Sequence, residues 1–153
     1  MTAPIVIRPP TRDDREAWAR LWEGYNAFYG RAGATALAAE ITDTTWERFF
    51  DPGEPVHALV ADAGGELVGL THYLFHRSTT ALAPTCYLQD LFTSEAARGR
   101  GVGRALIEAV YAAAKAAGSA RVYWQTQDTN SVARMLYDKV ARNSGFIVYA
   151  KAV

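Results

Sequence analysis

Residues 97–106 read ARGRGVGRAL, which sets Gly99, Gly101 and Gly103 at alternate positions among Arg98, Arg100 and Arg104. Glycines let backbone N–H groups approach a ligand closely, and arginines beside a helix N-terminus favour negative charge. The chemistry such a turn suits is the holding of phosphate. A dinucleotide fingerprint, G-x-G-x-x-G, fails because its third glycine would fall on Arg104, and no Gly-Lys-Ser/Thr follows to make a Walker loop. A turn that serves packing alone has no use for three arginines without carboxylate partners, so a ligand carrying several phosphates is expected here.

Other reactive side chains offer less. His72 and His76 lie in a β-like run, where four residues span roughly 13 Å, too far to share a metal ion. Cys86 is the only cysteine, which excludes an internal disulfide and a cysteine-based zinc cluster. In a β-run it reads as a small buried hydrophobe, and no function is assigned to His57. No metal site is expected. Sixteen Lys+Arg balance sixteen Asp+Glu, so global charge favours neither nucleic acid nor membrane, and no direct binding to either is expected. MTAPIVIRPP lacks the pattern of a signal peptide, and no apolar run approaches the roughly 18 residues of a membrane span. The expectation is a cytoplasmic protein.

The elements that must position the turn follow from patterning. With 153 residues, half of them hydrophobic, the chain suits one domain over residues 1–153. Ile5–Ile7 reads as a short strand stopped by Pro9-Pro10, and Thr11 with Asp14 resembles a capping box that opens a helix. Trp18, Trp22, Tyr25 and Tyr29 stack on one face of that helix, a stripe read as core ahead of ligand wall. Thr44 and Glu47 in TTWERFF offer a second capping box, predicting a second helix there. The runs 56–62, 66–75 and 85–93 read as three strands in meander order, the first two joined through Ala63-Gly64-Gly65. Beyond the glycine turn, Val102, Leu106, Ala109, Val110 and Ala113 predict a third helix closed at Gly118. RVYWQT (121–126) reads as a strand, SVARMLYDKVA (131–141) as a helix opened by Asn130, and GFIVYAKAV as a last strand. The fold class is α/β, with a mixed, mostly antiparallel central sheet flanked by about four helices.

Arg98-Gly99-Arg100-Gly101-Val102-Gly103 fits the R/Q-x-x-G-x-G/A signature of the GNAT acetyltransferases, between a strand and a helix as that superfamily requires. With YLQDLF before it, VYWQTQDTN after it and MLYDKVARNSGFIVY closing the chain, the likeness covers roughly residues 56 to 151. The sequence resembles the subgroup of fungal histone, polyamine and D-amino-acid N-acetyltransferases, and more distantly the diamine acetyltransferases. The resemblance implies acetyl-CoA as donor, a primary amine as acceptor, and the pyrophosphate of coenzyme A in the turn formed by residues 98–104. It further implies that the pantetheine arm lies along the backbone of Leu91, Phe92 and Thr93, and that Asn130 contacts that arm.

An amine with a pKa of about 10 arrives protonated and must lose a proton before it attacks a thioester. Attack places charge on the thioester oxygen, and collapse expels a thiolate better released with a proton. The resemblance implies Tyr137 as the acid for that thiolate, although beside Leu136 and Val140 it also fits a core position. The base is where this sequence departs from the diamine acetyltransferases, which carry glutamate at the position of Gln89; an amide cannot accept a proton. Asp90 is adjacent, but in a regular strand it points to the opposite face from Gln89. It is the candidate base, directly or through water, with a structural or acceptor-binding role and a water chain to solvent as alternatives.

The reading is thus an N-acetyltransferase working by direct transfer in a ternary complex, without metal or acyl-enzyme. The rival is a non-catalytic acyl-CoA-binding regulatory module. The acceptor, a polyamine, an amino acid or a lysine side chain, is expected to meet the first two helices and the segment between them, where Tyr25, Tyr29 and Trp46 could line a pocket and Glu23 or Glu40 meet a cation. An apolar final strand invites pairing with a second chain, and the resemblance supports a homodimer.

Overall fold

The structure, a computed structural model, describes residues 3–153. Five strands form one sheet in the order β1 (Ile5–Arg8), β2 (Val56–Ala63), β3 (Glu66–His76), β4 (Thr85–Thr93) and β5 (Val122–Tyr123). The first three pairings are antiparallel and β4 runs parallel to β5, giving the mixed, mostly antiparallel sheet expected. Four α-helices accompany it: α1 (Arg15–Phe28), α2 (Ala39–Arg48), α3 (Val102–Ala116) and α4 (Ser131–Val140).

Helices cover both faces. On one, Trp18, Leu21 and Trp22 of α1 and Trp46 of α2 pack over Val60 and Leu70; on the other, Val102, Leu106, Ile107 and Val110 of α3 pack over Leu59, Ala61 and Leu88. Cys86 lies fully buried within the second cluster, and burial pushes its thiol up to about 11, which keeps it a protonated, inert hydrophobe. The Thr11 N–H donates to the Asp14 carboxylate at 2.7 Å, so the residues singled out as a capping box do organise the entry to α1 through a short 3₁₀ turn.

Three expectations are corrected. The second helix begins at Ala39, not at Thr44, which lies inside it; burial of Trp46 against Trp18, ring centroids 4.9 Å apart, selects the helix without a side-chain cap. The strand expected over 121–126 is reduced to Val122–Tyr123, because β4 offers it partners only at Cys86 and Tyr87. The last strand does not form: residues 142–153 carry no strand pairing, and Phe146, Ile147 and Tyr149 stand exposed. A strand exists only against a partner edge, and β5 is too short to offer one in the same chain.

The strands carry two irregularities. Asp62 faces Leu67 while Ala61 faces Gly69, so Val68 is an extra residue in β3. His72 faces Asp90 while Tyr73 faces Leu88, so Gln89 is an extra residue in β4. The bulge at Gln89 re-aims the side chains that follow it. Cys86, Leu88 and Leu91 pack toward α3, whereas Asp90 and Phe92 meet residues of the α1 side. The period-two argument that sent Asp90 away from the face of Gln89 therefore does not apply, and both residues line the same cleft.

Helix α3 lies close over the sheet at Gly69, where an added Cβ would stand 2.8 Å from Val102 Cγ1 and 3.1 Å from the Phe92 carbonyl oxygen. Backbone and buried helix atoms cannot yield there without moving α3. Gly69→Val is expected to destabilise the fold by about 1–3 kcal/mol, the usual range for overpacking. Urea unfolding checks this, and an unchanged midpoint would contradict the stated packing.

Candidate active site

Strand β4 meets β5 only at Cys86–Val122 and Tyr87–Tyr123, while on its other side it stays paired with β3 through Thr93. From Leu88 onward one backbone edge of β4 has no strand beside it. A cleft of about 1670 Å³ opens along this divergence, lined among others by Tyr25, Tyr29, Arg31, Asp90, Trp124 and Tyr137. Unpaired main-chain groups in such a cleft are available to an extended ligand.

The glycine turn follows β4. Gly99 (φ 79°) and Gly101 (φ 78°) both adopt the left-handed conformation, and a Cβ at either would meet nothing within 4 Å. Their identity is thus required by backbone shape, with open space on the outer side. Gly101 is the N-cap of α3, and the Ala105 N–H donates to its carbonyl at 3.0 Å. The N–H groups of Val102, Gly103 and Arg104 precede that first helical bond and have no side-chain cap, so they present donors and the positive end of a 15-residue helix. This donor set fits a pyrophosphate.

The arginines do not all behave as the sequence suggested. Arg104 Nε donates to Glu108 Oε1 at 3.0 Å, so one of the three does have a carboxylate partner, one helical turn along. Arg98 Nε donates to the Thr93 carbonyl at 3.3 Å, tying the turn to the end of β4, and Arg100 Nη2 donates to the Ala3 carbonyl at 3.2 Å. An added Cβ at Gly103 would stand 3.4 Å from Leu136 Cδ2, marking where α3 and α4 come together.

Asp90 is 8% exposed and its neighbour across the sheet, His72, is 3% exposed. The Trp18 indole N–H donates to His72 Nε2 at 3.0 Å. An indole nitrogen only donates, so His72 Nε2 carries the lone pair and the ring hydrogen sits on Nδ1, from which it donates to Asp90 Oδ2 at 2.9 Å. An imidazolium would set two N–H groups against each other at Trp18. His72 is therefore neutral, and Asp90 keeps its negative charge uncancelled beside the cleft. Tyr25 lines the same cleft: burial, then the negative charge of Asp90, hold its phenol well above its usual range.

Tyr137 faces the same cleft from α4, its ring edge-on to Trp124 at 5.4 Å. Burial, with a smaller contribution from Tyr29, pushes its phenol up to about 12. It packs partly against the α3 core as well, so this tyrosine is both a core side chain and part of the cleft wall. Asn130 stands at the N-cap position of α4, but its side-chain amide donates to Thr126 Oγ1 at 3.2 Å instead of capping the helix.

Among the acceptor-side candidates, Tyr25 and Tyr29 line the cleft, Trp46 is core, and Glu23 and Glu40 are exposed away from it. The aromatic stripe of α1 is both things at once: Trp18 is wholly buried, while Trp22 and Tyr25 are buried and also form cleft wall. The Trp22 indole N–H has no hydrogen-bond partner among the described residues. Sequence reasoning missed His72 and Arg31. Only the β3–β4 register pairs His72 with Asp90, and nothing in the local sequence announces it. Among the described residues no group of three or more His, Cys, Asp or Glu gathers as a metal site, and no helix is long and apolar enough to cross a membrane.

Residues 17–141 match the acetyltransferase (GNAT) family, and the chain belongs to it. Its general activity is accordingly transfer of an acetyl group from acetyl-CoA to an amine. The chain is 36% identical to a D-amino-acid N-acetyltransferase of Saccharomyces cerevisiae over 96% of its own length and 90% of the relative's. It is 30% identical to an uncharacterized N-acetyltransferase of Bacillus subtilis, covering 94% of each chain. Similarity to both a yeast and a bacterial protein supports membership of the family at large and singles out no fungal subgroup. The fold is shared with AAC(6')-Iy in complex with the bisubstrate analogue CoA-S-monomethyl-acetylneamine, at TM-score 0.82 and 15% identity over 99% of each chain.

The proton arrangement at His72 is directly measurable. Nitrogen-15 resonances of the imidazole are expected to show a protonated Nδ1 and a bare Nε2 at neutral pH. A doubly protonated ring, or the opposite tautomer, would contradict the Trp18–His72–Asp90 arrangement.

Proposed function

We propose that the protein is an N-acetyltransferase in which acetyl-CoA and a primary amine occupy the cleft together and the amine attacks the thioester directly, with no metal and no acyl-enzyme. What carries the reading is one juxtaposition: the uncapped N-terminus of α3 stands beyond the free edge of β4, and a carboxylate and a phenol face the cleft along that edge. Acetyl-CoA supplies the activated acyl group. The turn from Arg98 to Arg104 (Gly99, Arg100, Gly101, Val102 and Gly103 between them) holds the pyrophosphate with backbone N–H groups. Main-chain groups of Leu91, Phe92 and Thr93 on the free edge hold the arm, and Asn130 contacts it from the start of α4.

Asp90 takes the proton released by the incoming ammonium. Its charge survives burial because His72 donates a hydrogen bond without adding a positive charge. Tyr137 donates to the departing sulfur. With its phenol at about 12, the proton is present throughout the neutral range and passes only as negative charge develops on sulfur. Burial disfavours the phenolate, so Tyr137 imposes no alkaline loss of activity until pH approaches that value. The acceptor is a small amine of polyamine, amino-acid or lysine-side-chain type, and the yeast relative is named for D-amino acids.

Release of free CoA from acetyl-CoA with a panel of amines tests the reading; binding without release from any amine would identify an acyl-CoA-binding module instead. Two variants separate the proposed roles. Gly101→Glu places bulk and negative charge where phosphate is held and is expected to abolish measurable acetyl-CoA affinity in calorimetry. Tyr137→Phe is expected to keep that affinity and lose about 10²-fold in kcat. Full kcat in this variant would leave thiolate protonation to water.

The exposed Phe146, Ile147 and Tyr149 beyond α4 also support a homodimer in which a second copy covers this segment. Light scattering at micromolar concentration is expected to give the dimeric mass, and a monomeric mass defeats this part of the proposal.

A further inference from the structure

Helix α1 ends in a Schellman motif: the Gly30 N–H donates to the Ala27 carbonyl at 3.0 Å and the Arg31 N–H to the Asn26 carbonyl at 2.8 Å, with Gly30 at φ 79°. This closure turns the chain so that Arg31 comes back along the helix toward the cleft. Its side chain is then pinned. Arg31 Nε donates to Asn26 Oδ1 at 2.7 Å, and Asn26, only 4% exposed, is itself anchored by donation from Nδ2 to the Trp22 carbonyl at 2.9 Å. The guanidinium carbon lies 5.9 Å from the Tyr25 ring centre and 5.6 Å from that of Tyr29.

A partly buried arginine held by a buried amide, with no carboxylate within ion-pair reach among the described residues, is an unusual object for a helix end. Ordinary helix-dipole service asks only for a cation near the last carbonyls and needs neither the Asn26 anchor nor a place in the cleft wall. Of the other cleft arginines, Arg48 pairs with Glu54, Arg134 donates to the Asp128 carbonyl, Arg121 lies over the Tyr123 ring, and Arg142 is exposed, with no buried amide to pin it. Arg31 keeps the outer nitrogens of its guanidinium fork for something else.

Its position relative to Asp90 suggests what. Tyr25 stands between them in the lining: the Arg31 guanidinium carbon lies 5.9 Å from its ring centre, and Tyr25, Arg31 and Asp90 line the same cleft. A negative and a positive group thus flank one aromatic ring in the wall of the acceptor end of the cleft. A diamine would meet Asp90 favourably and Arg31 unfavourably, whereas a free amino acid satisfies both.

We infer that Arg31 and Asp90 form a zwitterion subsite across Tyr25, in which Arg31 binds the α-carboxylate of a free amino acid while Asp90 receives its α-ammonium. The inference rests on the proposed acetyl transfer and names the acceptor class of that site. Asp90 then accepts one ammonium proton, leaving the amine lone pair free to form the new N–C bond; as the C–S bond breaks, the CoA sulfur leaves with the Tyr137 proton, and the nitrogen of the adduct returns its second proton to the phenolate. Arg31 is a specificity-determining residue that touches only the carboxylate.

The experiment compares free amino acids with acceptors that lack only the carboxylate. Acetyl-CoA turnover is measured with D- and L-phenylalanine, with the corresponding phenylalaninamides and with a diamine, for the wild type, Arg31→Gln and Arg31→Lys. The wild type is expected to favour one or both acids over their amides and the diamine. Loss of a charge-assisted bond predicts that the acid-to-amide ratio of kcat/KM falls about 10- to 100-fold in Arg31→Gln. Arg31→Lys, with the charge but not the fork, falls between. Comparing ratios cancels both the different basicity of amides and any general loss of folded enzyme. An unchanged ratio in Arg31→Gln, or a wild type that prefers amides or the diamine, overturns the subsite while leaving acetyl transfer intact. No CoA release from any amine would defeat the transferase reading itself. Should Arg31→Gln fail to fold, the wild-type ratio decides, and parity between acid and amide overturns the inference.

Discussion

The parting of β4 from β5 after Tyr87 is the constraint around which this molecule is organised. A central sheet normally satisfies its backbone on both sides of every inner strand, and leaving Leu88 to Thr93 half-paired exposes main-chain groups that must find other partners. Helices on both faces hold β4 in place regardless: α3 clamps one side through Val102 and Leu106, and the tryptophans of α1 and α2 clamp the other. The open edge is therefore fixed from both faces although no strand lies beside it.

The bulge at Gln89 belongs to the same constraint. By shifting the register it turns Asp90 out of the α3 core and against His72, so that one irregular residue both coincides with the divergence of the strands and delivers the carboxylate to it. A carboxylate at 8% exposure needs hydrogen bonding, and a protonated histidine would cancel its charge. Donation from Trp18 resolves this by occupying the second imidazole nitrogen. Core packing and site electrostatics are thus one structure, since the same indole anchors α1 on the sheet and sets the tautomer beneath Asp90.

Around that carboxylate the aromatic residues of α1 grade from core to wall. Trp18 is closed off, Trp22 and Tyr25 are buried but border the cleft, and Tyr29 is open to it. The gradient sets aromatic rings close to Asp90 and Arg31 in a cleft whose remaining lining is largely polar.

The order of helices and strands, the glycine turn and the tyrosine of α4 were legible in the residues, because each rests on local information: periodicity, punctuation and the φ that only glycine tolerates at Gly99 and Gly101. The register of β3 against β4 was not, so neither the His72–Asp90 contact nor the loss of alternation at Gln89 could be read from the chain. The same limit explains GFIVYAKAV, whose composition is that of a strand but which pairs with no strand among the described residues, and Arg31, whose place in the cleft wall appears only when the closure of α1 brings it to Tyr25. Sequence by itself determined the elements and the glycine turn before α3. Tertiary structure alone decided which residues meet across the cleft, since strand register and helix closure are set by long-range packing and not by neighbours along the chain.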